Sequence, residues 1–209
     1  LERVCSDYAV RLITIFHELS TSGPIFSSAF WLYPLQNWII GRLVQLSDHV
    51  LVNRKQGKRQ LRRWAESPEQ VSVLPVFSNI GEPGKRPPLD VRDRSAVFFG
   101  GRKEKESVYR SHGSQLQELL AREEIDRLID VGPPPEDTGN LKADIEVLGV
   151  QPSEVVSRCL IRSRIGFSCR RLDLLVKSGV VAAYLAHGVV PVIISNGGTS
   201  EDGILEESN

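Results

Sequence analysis

The feature that most constrains the fold is the alternation of short β-rich segments with helical segments along the chain. Runs of Ile, Val, Thr and Phe favour strands, whereas apolar residues spaced three and four apart favour helices. The predicted strands are residues 11–16, 48–52, 71–76, 95–99, 125–131, 165–167 and 189–194. The predicted helices are residues 35–46, a basic helix capped by Asn53 and ending near Glu66, then 107–122, 153–161 (capped by Ser153) and 172–186. This order is typical of parallel sheets with helices on their faces.

A stretch rich in Gly, Pro and Lys at residues 78–88 interrupts the alternation. Such composition is typical of a linker. We therefore expect an α/β chain with two Rossmann-like lobes, residues 1–80 and 95–209, joined by a linker at 81–94. The chain begins with Leu1 and contains no Met. We accordingly expect a fragment in which both lobes are incomplete.

Charge and cysteine content exclude several classes of protein. Lys+Arg and Asp+Glu are both 26, which disfavours a basic nucleic-acid-binding protein. The three Cys residues are odd in number and far apart. This pattern fits neither a disulfide framework nor a metal cluster, and it favours a reducing compartment. Since no segment has the pattern of a signal peptide or of a membrane span, we expect a soluble cytoplasmic protein.

The sharpest motif is a glycine pair, Gly100 and Gly101, between a predicted strand and a predicted helix. Arg102 follows directly, and Lys105 lies three residues further on. Phosphates bind where glycine lets the backbone approach, where helix N–H groups point outward and where cations lie nearby. The sequence therefore indicates a phosphate site, although a plain turn with solvated charges fits the same residues.

A second candidate loop contains Gly166, Phe167 and Ser168 and leads into the predicted helix 172–186. That helix contains Lys177 and Ser178 among mostly apolar neighbours. A buried ammonium is costly unless an anion pairs with it, so Lys177 is a candidate phosphate ligand. The alternatives are that Lys177 extends to the surface or pairs with Asp173.

His17 ends the first predicted strand, where ligands collect in open parallel sheets. It is a candidate catalytic residue, and the alternative is a histidine bonded to a backbone carbonyl. Further along, six cationic residues lie between Arg54 and Arg63 with no acid among them. They suit a peripheral contact with anionic lipid, and the alternative, which such charge runs favour, is a solvated helix face.

Several segments together carry a resemblance to a known family. VRLITIFHE, SAFWLYPLQ and PVFSNIGEP are similar to the end of an acceptor-side domain, and SAVFFGGRKEKESVY to the start of a donor-binding domain. SRIGFSCRRLDLLVKSGVVAAYLAHGVVPVI is similar to the sugar-nucleotide loop and helix of that second domain. The order resembles the GT-B glycosyltransferases, most closely the retaining, family 4-like group found in bacteria (glycosyl transferase group 1). The resemblance covers most of this chain but about half of such an enzyme.

The resemblance implies transfer of a hexose from a nucleotide-sugar donor to a saccharide or lipid-linked acceptor in bacterial polysaccharide biosynthesis. It implies no cofactor or metal, because cationic side chains would stabilise the leaving diphosphate. The residues implied to contact the donor are Gly100, Gly101, Arg102, Lys105, Gly166, Phe167, Ser168, Lys177 and Ser178. Within this set the first four hold the pyrophosphate, the next three lie near the transferred sugar, and the last two lie at the phosphates. His17 would lie on the acceptor side of the cleft.

One departure from the family pattern concerns two glutamates spaced eight residues apart. The first position is Ile165, and the second is Asp173 or Ala183, depending on whether it is counted from the loop or from the end of the helix. Those carboxylates bind sugar and ribose hydroxyls in the family. Their loss leaves two alternatives open: a non-catalytic module that binds a nucleotide-sugar or a partner, and a nucleotide-sugar epimerase on the same fold.

Overall fold

The computed structural model describes residues 7–8, 10–19, 23–139, 141–195 and 197–198. It divides the chain into two compact units, Leu1–Pro75 and Val76–Asn209, called here the first and second units. Each unit carries its own parallel sheet, so the expected α/β class is confirmed. Among the described residues, no helix combines the length and the apolar content needed to cross a bilayer.

The first unit contains a three-stranded sheet in the order β1-β2-β3. Its strands are β1 (Ile13–Phe16), β2 (His49–Val52) and β3 (Val71–Val73), and its helices are α1 (Ser28–Leu46) and α2 (Lys55–Leu61). A short 3-10 helix, Pro68–Gln70, precedes β3. Its core is formed by Phe16, Ile40, Val44, Val50, Val52, Leu61 and Val71.

Two helix boundaries in the first unit differ from the prediction. α1 begins seven residues earlier than predicted, because Ser27 caps it by accepting from the Phe30 N–H at 3.3 Å. Pro34 lies inside this helix, and a proline in a helical pattern usually indicates that the helix does not extend across it. Asn53 is not the cap of α2, whose N-cap is Arg54, since the Asn53 amide is bonded to His17 instead.

The second unit contains a five-stranded parallel sheet in the order β6-β5-β4-β7-β8. The strands are β4 (Ser95–Phe99), β5 (Arg127–Val131), β6 (Asp144–Gly149), β7 (Ile165–Arg170) and β8 (Val190–Ser195). The α-helices are α3 (Arg102–Arg122), α4 (Ser153–Arg162) and α5 (Gly179–Ala186), and the 3-10 helices are Leu89–Val91 and Leu172–Lys177. β6 was missed because its sequence, DIEVLG, places acids among its apolar residues.

Two details of the helices in the second unit correct the prediction. Residues 172–186 do not form one helix, because Ser178 separates a 3-10 turn from α5 and caps the latter by accepting from the Val181 N–H at 3.3 Å. Ser153 is not a cap but the first residue of α4, with Pro152 at the N-cap.

Helices pack on both faces of this sheet. On one face α3 supplies Val108, Tyr109, Leu116 and Leu120 to a core that includes Phe98. On the other face α4 and α5 supply Val156, Leu160, Ala183 and Tyr184 to a core that includes Val97. Successive residues of β4 therefore enter opposite cores, as expected for a buried central strand.

The segment before β4 is anchored on the second unit by Arg92. Its guanidinium donates to three backbone carbonyls, those of Pro87 at 3.0 Å, Ser163 at 3.0 Å and His187 at 2.9 Å. Arg92 is 6% exposed, so these bonds replace its lost hydration. Most of the stretch predicted as a linker, 81–94, is thus fixed to this unit.

Candidate functional site

The candidate site lies at the carboxyl ends of β4 and β7. The chain runs outward through β5 and β6 and then crosses back to β7 on the other side of β4, so the strand order reverses between β4 and β7. In open parallel sheets the crevice outside such a reversal is where ligands bind. We call residues 99–104 and 167–170 the switch-point crevice.

Tyr184 of α5 closes the floor of the crevice. Pairing of β4 with β7 ends at Phe98 and Phe167. Beyond that point the Tyr184 hydroxyl accepts from the Phe99 N–H at 2.9 Å and donates to the Phe167 carbonyl at 2.8 Å. Burial raises the pKa of Tyr184, so the phenol keeps the proton that it donates.

The glycine loop lies above this floor. Gly101 is the N-cap of α3, is exposed, and has no heavy atom within 4 Å of where a Cβ would lie. At Gly100 the nearest such atom is Oε2 of Glu104 at 3.5 Å, an ordinary contact. Packing within the protein therefore does not require glycine at either position, and the loop leaves open space where a ligand can approach the backbone.

Gly132, just after β5, must be glycine for the neighbouring glycine loop to keep its position. Its φ is +109°, and a Cβ there would lie 2.5 Å from the carbonyl oxygen of Gly100. Any side chain at Gly132 would push the glycine loop away from its present position.

Arg102 begins α3 and is half-exposed. Its Nη1 donates to Oε1 of Glu136 at 2.6 Å. Because Glu136 is 78% exposed in its side chain, this pair is solvated and costs little to open. Arg102 therefore lies beside the glycine loop and is able to exchange one anionic partner for another.

Lys105 lies inside the second unit and not at its surface. Its side chain is fully buried, and its ammonium donates to Oδ1 of Asp130, which is equally buried. The Tyr109 hydroxyl donates to the other oxygen of Asp130 at 2.6 Å, and burial together with Asp130 raises the pKa of Tyr109. Asp130 thus holds Lys105 in the core, and the predicted contact of Lys105 with a pyrophosphate stays a prediction.

Gly166, Phe167 and Ser168 lie within β7 and not in a loop. A Cβ at Gly166 would lie 2.8 Å from the ring of Tyr184, so glycine is needed there for packing. The Phe167 side chain is buried against the ring of Phe98, with centroids 6.4 Å apart. Ser168 is fully buried at the inner wall of the crevice.

Glu104 is a residue of the crevice that sequence reasoning missed. It lies in the first turn of α3 with its side chain 16% exposed. Its Oε1 accepts from the Cys169 N–H at 2.9 Å and from the Ser168 hydroxyl at 3.3 Å, and its Oε2 lies 3.6 Å from Nη2 of Arg170. In the sequence it was indistinguishable from the alternating charges around it.

Lys177 and Ser178 lie at the junction before α5. Lys177 ends the 3-10 turn and is half-buried, whereas Ser178 is 5% exposed and its Oγ is used to cap α5. Asp173 pairs with Arg171, Oδ1 to Nε at 3.0 Å. The role of Lys177 and Ser178 at a phosphate stays a prediction.

In the first unit, His17 and Asn53 meet at the carboxyl edge of the sheet. His17 follows β1 and is exposed, and Asn53 follows β2 and is 7% exposed. The Asn53 Nδ2 lies 3.0 Å from the His17 Nδ1. An amide nitrogen only donates, so Nδ1 accepts and the proton of the neutral ring resides on Nε2.

Three cations of the second unit, in the crevice or next to it along α3, have carboxylate partners in the same unit. The pairs are Arg102 with Glu136, Lys105 with Asp130, and Arg170 with Glu104. In the basic run of the first unit, Lys55, Arg59, Arg62 and Arg63 are exposed on or just after α2. In the part of the chain that the structure describes, no three His, Cys, Asp or Glu side chains form a group able to hold a metal ion.

Comparison with known proteins identifies structural relatives only. No family model and no curated protein matches the chain. The chain matches solved structures of GT-B glycosyltransferases. Anabaena HepE in complex with UDP and glucose is 12% identical, with a TM-score of 0.47, over 92% of this chain and 55% of that one. S. aureus TarM (11%, TM-score 0.44) is covered for 36% of its length, and Burkholderia multivorans α,α-trehalose 6-phosphate synthase (11%, TM-score 0.46) for 54%. The chain thus spans about half the length of these proteins, or less.

Proposed function

We propose that the second unit binds a nucleotide-sugar in the switch-point crevice and that the protein transfers the sugar to a saccharide or lipid-linked acceptor. The observation that carries this proposal is the strand order β6-β5-β4-β7-β8, because it sets the loop of Gly100 and Gly101 at the strand reversal. A glycine loop that opens onto a helix at this place is suited to a diphosphate.

The local geometry supports a phosphate on the loop. Gly101 has no side-chain cap, so the first amides of α3 have no side-chain acceptor. Exposed N–H groups at the positive end of α3, which is regular from Arg102 to a kink at His112, attract an anion. In the proposed reaction Arg102 leaves Glu136 for the donor diphosphate and stabilises the charge that develops on it as the glycosidic bond breaks.

His17 has a corresponding role in the proposal. With Nδ1 held by Asn53, the ring presents an N–H at Nε2, which is able to donate a hydrogen bond to a sugar or acceptor oxygen. We propose it as the residue of the first unit that contacts substrate.

Transfer itself is tested with a panel of nucleotide-sugars, each incubated with and without saccharide and lipid-linked acceptors and analysed by mass spectrometry. The proposal expects a glycosylated acceptor and a nucleoside diphosphate with at least one donor. An isomerised nucleotide-sugar formed without acceptor would instead identify an epimerase, and unchanged donor throughout would contradict both activities.

Donor binding is tested through Arg102. Replacing it by Ala removes a charge-assisted contact worth about 1.5–3 kcal/mol, so the affinity for UDP in calorimetry should fall at least ~10-fold. Arg122→Ala is the matched control, because Arg122 lies at the other end of α3 and is paired with Glu123. Equal affinity of both variants for UDP would show that the loop is a plain turn.

Lys177 gives a second, independent test. If Lys177 contacts a phosphate, Lys177→Met should fold at least as stably as the wild type and lose affinity for UDP, because the apolar side chain suits the half-buried position. Normal binding by this variant would remove Lys177 from the proposed site.

A second candidate function is a non-catalytic module that binds a nucleotide-sugar or a partner. The pairing of Arg102, Lys105 and Arg170 with carboxylates favours it, because a cation already paired with a carboxylate does less to stabilise a leaving diphosphate. Binding of UDP-sugar without turnover of any donor would support this candidate over the transferase.

A further inference from the structure

Glu104 occupies the end of β7 in the way that a bound anion would. Its carboxylate takes a backbone N–H from Cys169, a hydroxyl from Ser168 and the charge of Arg170. A main-chain amide, a hydroxyl and a guanidinium at one point are the donors that a phosphate uses in protein sites. In this protein the three donors already bind the carboxylate of Glu104.

The carboxylate is held in this place by the fold. Glu104 lies in the first turn of α3, and that helix is fixed by the buried contact of Lys105, the next residue, with Asp130. Its Oε2 also lies within 3.5 Å of the space beside Gly100, on the side facing the glycine loop. An anionic group that extends from the loop toward β7 therefore meets a negative charge of low exposure, where water screens little.

We propose that Glu104 is a specificity-determining residue that keeps anionic groups away from the end of β7. A phosphate is accepted on the Arg102 side of the crevice, whereas the β7 side accepts a group that donates hydrogen bonds to a carboxylate, such as a hydroxyl. The proposal rests on the proposed function, because it takes the crevice to be the donor site.

Glu104→Gln is the variant that isolates the charge. The Gln amide oxygen still accepts from the Cys169 N–H, so the local structure is retained while the negative charge is removed. Glu106→Gln is the matched control, because it removes the same charge two residues along α3, where Glu106 accepts instead from the Glu136 N–H at 2.9 Å. Glu104→Ala is the second variant and removes the acceptor as well as the charge.

The probes are UDP and uridine, which differ only in the diphosphate. At constant ionic strength, calorimetry should show that Glu104→Gln and Glu104→Ala bind UDP at least ~10-fold more tightly than the wild type, since a like charge is lost. Their affinity for uridine should stay within about 2-fold, and Glu106→Gln should match the wild type for both ligands.

The results separate the two proposals. If the wild type binds UDP and both Glu104 variants bind it equally well, the role of Glu104 is overturned while the proposed function stands. If neither the wild type nor any variant binds UDP, both are overturned. A gain for uridine as large as the gain for UDP would show that Glu104 acts by bulk and not by charge, which also overturns its role.

Discussion

Polar side chains lie at the carboxyl edge of each sheet, but their chemistry differs between the two units. At the edge of the first unit, exposed His17 is held by a neutral amide, that of Asn53. At the edge of the second unit, the Glu104 carboxylate is largely withdrawn from water and accepts from the Cys169 N–H, whereas its cationic partner Arg170 is 45% exposed in its side chain. One edge presents a hydrogen-bond donor to its surroundings, and the other holds a poorly hydrated carboxylate.

Burial of the sheets explains this difference. β4 lies between two helical layers, and its residues from Ser95 to Phe98 are all buried. In β1, by contrast, Ile13 and Ile15 are 60% and 66% exposed. A charge at the end of a doubly covered sheet must find an internal partner, whereas a polar group at the end of a half-covered edge strand remains hydrated.

The largest loss of stability is expected at the buried pair of Lys105 and Asp130. Lys105→Met leaves the carboxylate without its cation and should destabilise the second unit by about 3–5 kcal/mol. Urea unfolding followed by far-UV circular dichroism measures this loss. All three Trp residues (Trp31, Trp38 and Trp64) lie in the first unit, so the transition seen by Trp fluorescence should move less.

The control for this variant is the exposed pair at the crevice. Glu136→Gln opens the contact with Arg102 and should change stability by less than about 1 kcal/mol, since both side chains are solvated. An equal loss in the two variants would mean that burial does not separate the structural pair from the exchangeable one.

Gly132→Ala tests whether the position of the glycine loop depends on its close contact with Gly132. The positive φ and the contact with the Gly100 carbonyl should together cost about 1–3 kcal/mol and weaken UDP binding. Gly113→Ala is the matched control, because Gly113 lies just after the kink of α3 at His112 with open space around it, and the change should alter stability by less than about 1 kcal/mol. Equal stability and UDP affinity in Gly132→Ala would show that the loop does not depend on β5.

A pH titration sharpens the contrast through His187, which is fully buried. Its Nδ1 donates to the Ala183 carbonyl at 2.7 Å and its Nε2 accepts from the Ser157 hydroxyl at 2.9 Å. Burial lowers the pKa of His187 below its ordinary 6.5, the Ala183 carbonyl and Glu82 act against this, and Arg86 and Arg92 act with it. The unfolded chain therefore binds the proton more readily than the folded chain.

The sign of the effect follows from this difference in proton uptake. Stability from neutral His187 is complete above pH 6.5 and is lost as the pH falls below it. Urea unfolding by circular dichroism between pH 7.5 and pH 5 should show a slope that His187→Gln reduces. His17→Gln, which changes an exposed ring in the other unit, should keep the slope, and a slope unaffected by His187→Gln would contradict the assignment.

The smallest structural change is expected at the first unit's edge. Asn53→Ala removes the donor to Nδ1 of His17, so the Nδ1–H tautomer of the ring should become more populated. Two-bond ¹H–¹⁵N correlation spectra of the imidazole measure the tautomer directly. Asn37→Ala, which removes an amide on α1, should leave the His17 signals unchanged, and Nδ1–H as the main tautomer in the wild type would overturn the interpretation.

The basic run Arg54–Arg63 gives a test on the exposed side of the comparison. If it contacts lipid, the protein should sediment with phosphatidylglycerol vesicles more than with phosphatidylcholine vesicles, and the triple change Lys55→Gln, Arg59→Gln and Arg62→Gln should abolish the difference. Arg110→Gln, an exposed position on α3, is the control. Equal sedimentation with both kinds of vesicle would contradict a lipid contact, and the basic run would then be a solvated helix face.

Sequence patterns predicted the strands better than they predicted the site. β4 and β8 were found within one residue, because long apolar runs flanked by polar turns have few other solutions. The pairing of Lys105 with Asp130 and of Asn53 with His17 could not be predicted, since each joins residues 25 or 36 positions apart through the register of the sheet. The alternating charges of RKEKES likewise gave no indication that the Glu104 side chain points inward, since its partners also lie far away in the sequence.

The phenol at the crevice floor has a consequence for observing this molecule in solution. The Phe99 amide is bonded to the Tyr184 hydroxyl and not to a carbonyl of the neighbouring strand. Its deuterium exchange therefore follows the excursions of one aromatic ring, while the amides deeper in β4 follow the opening of the whole sheet. The exchange rate of this one amide thus measures how often the crevice opens, and it is measured on the wild-type protein without ligand.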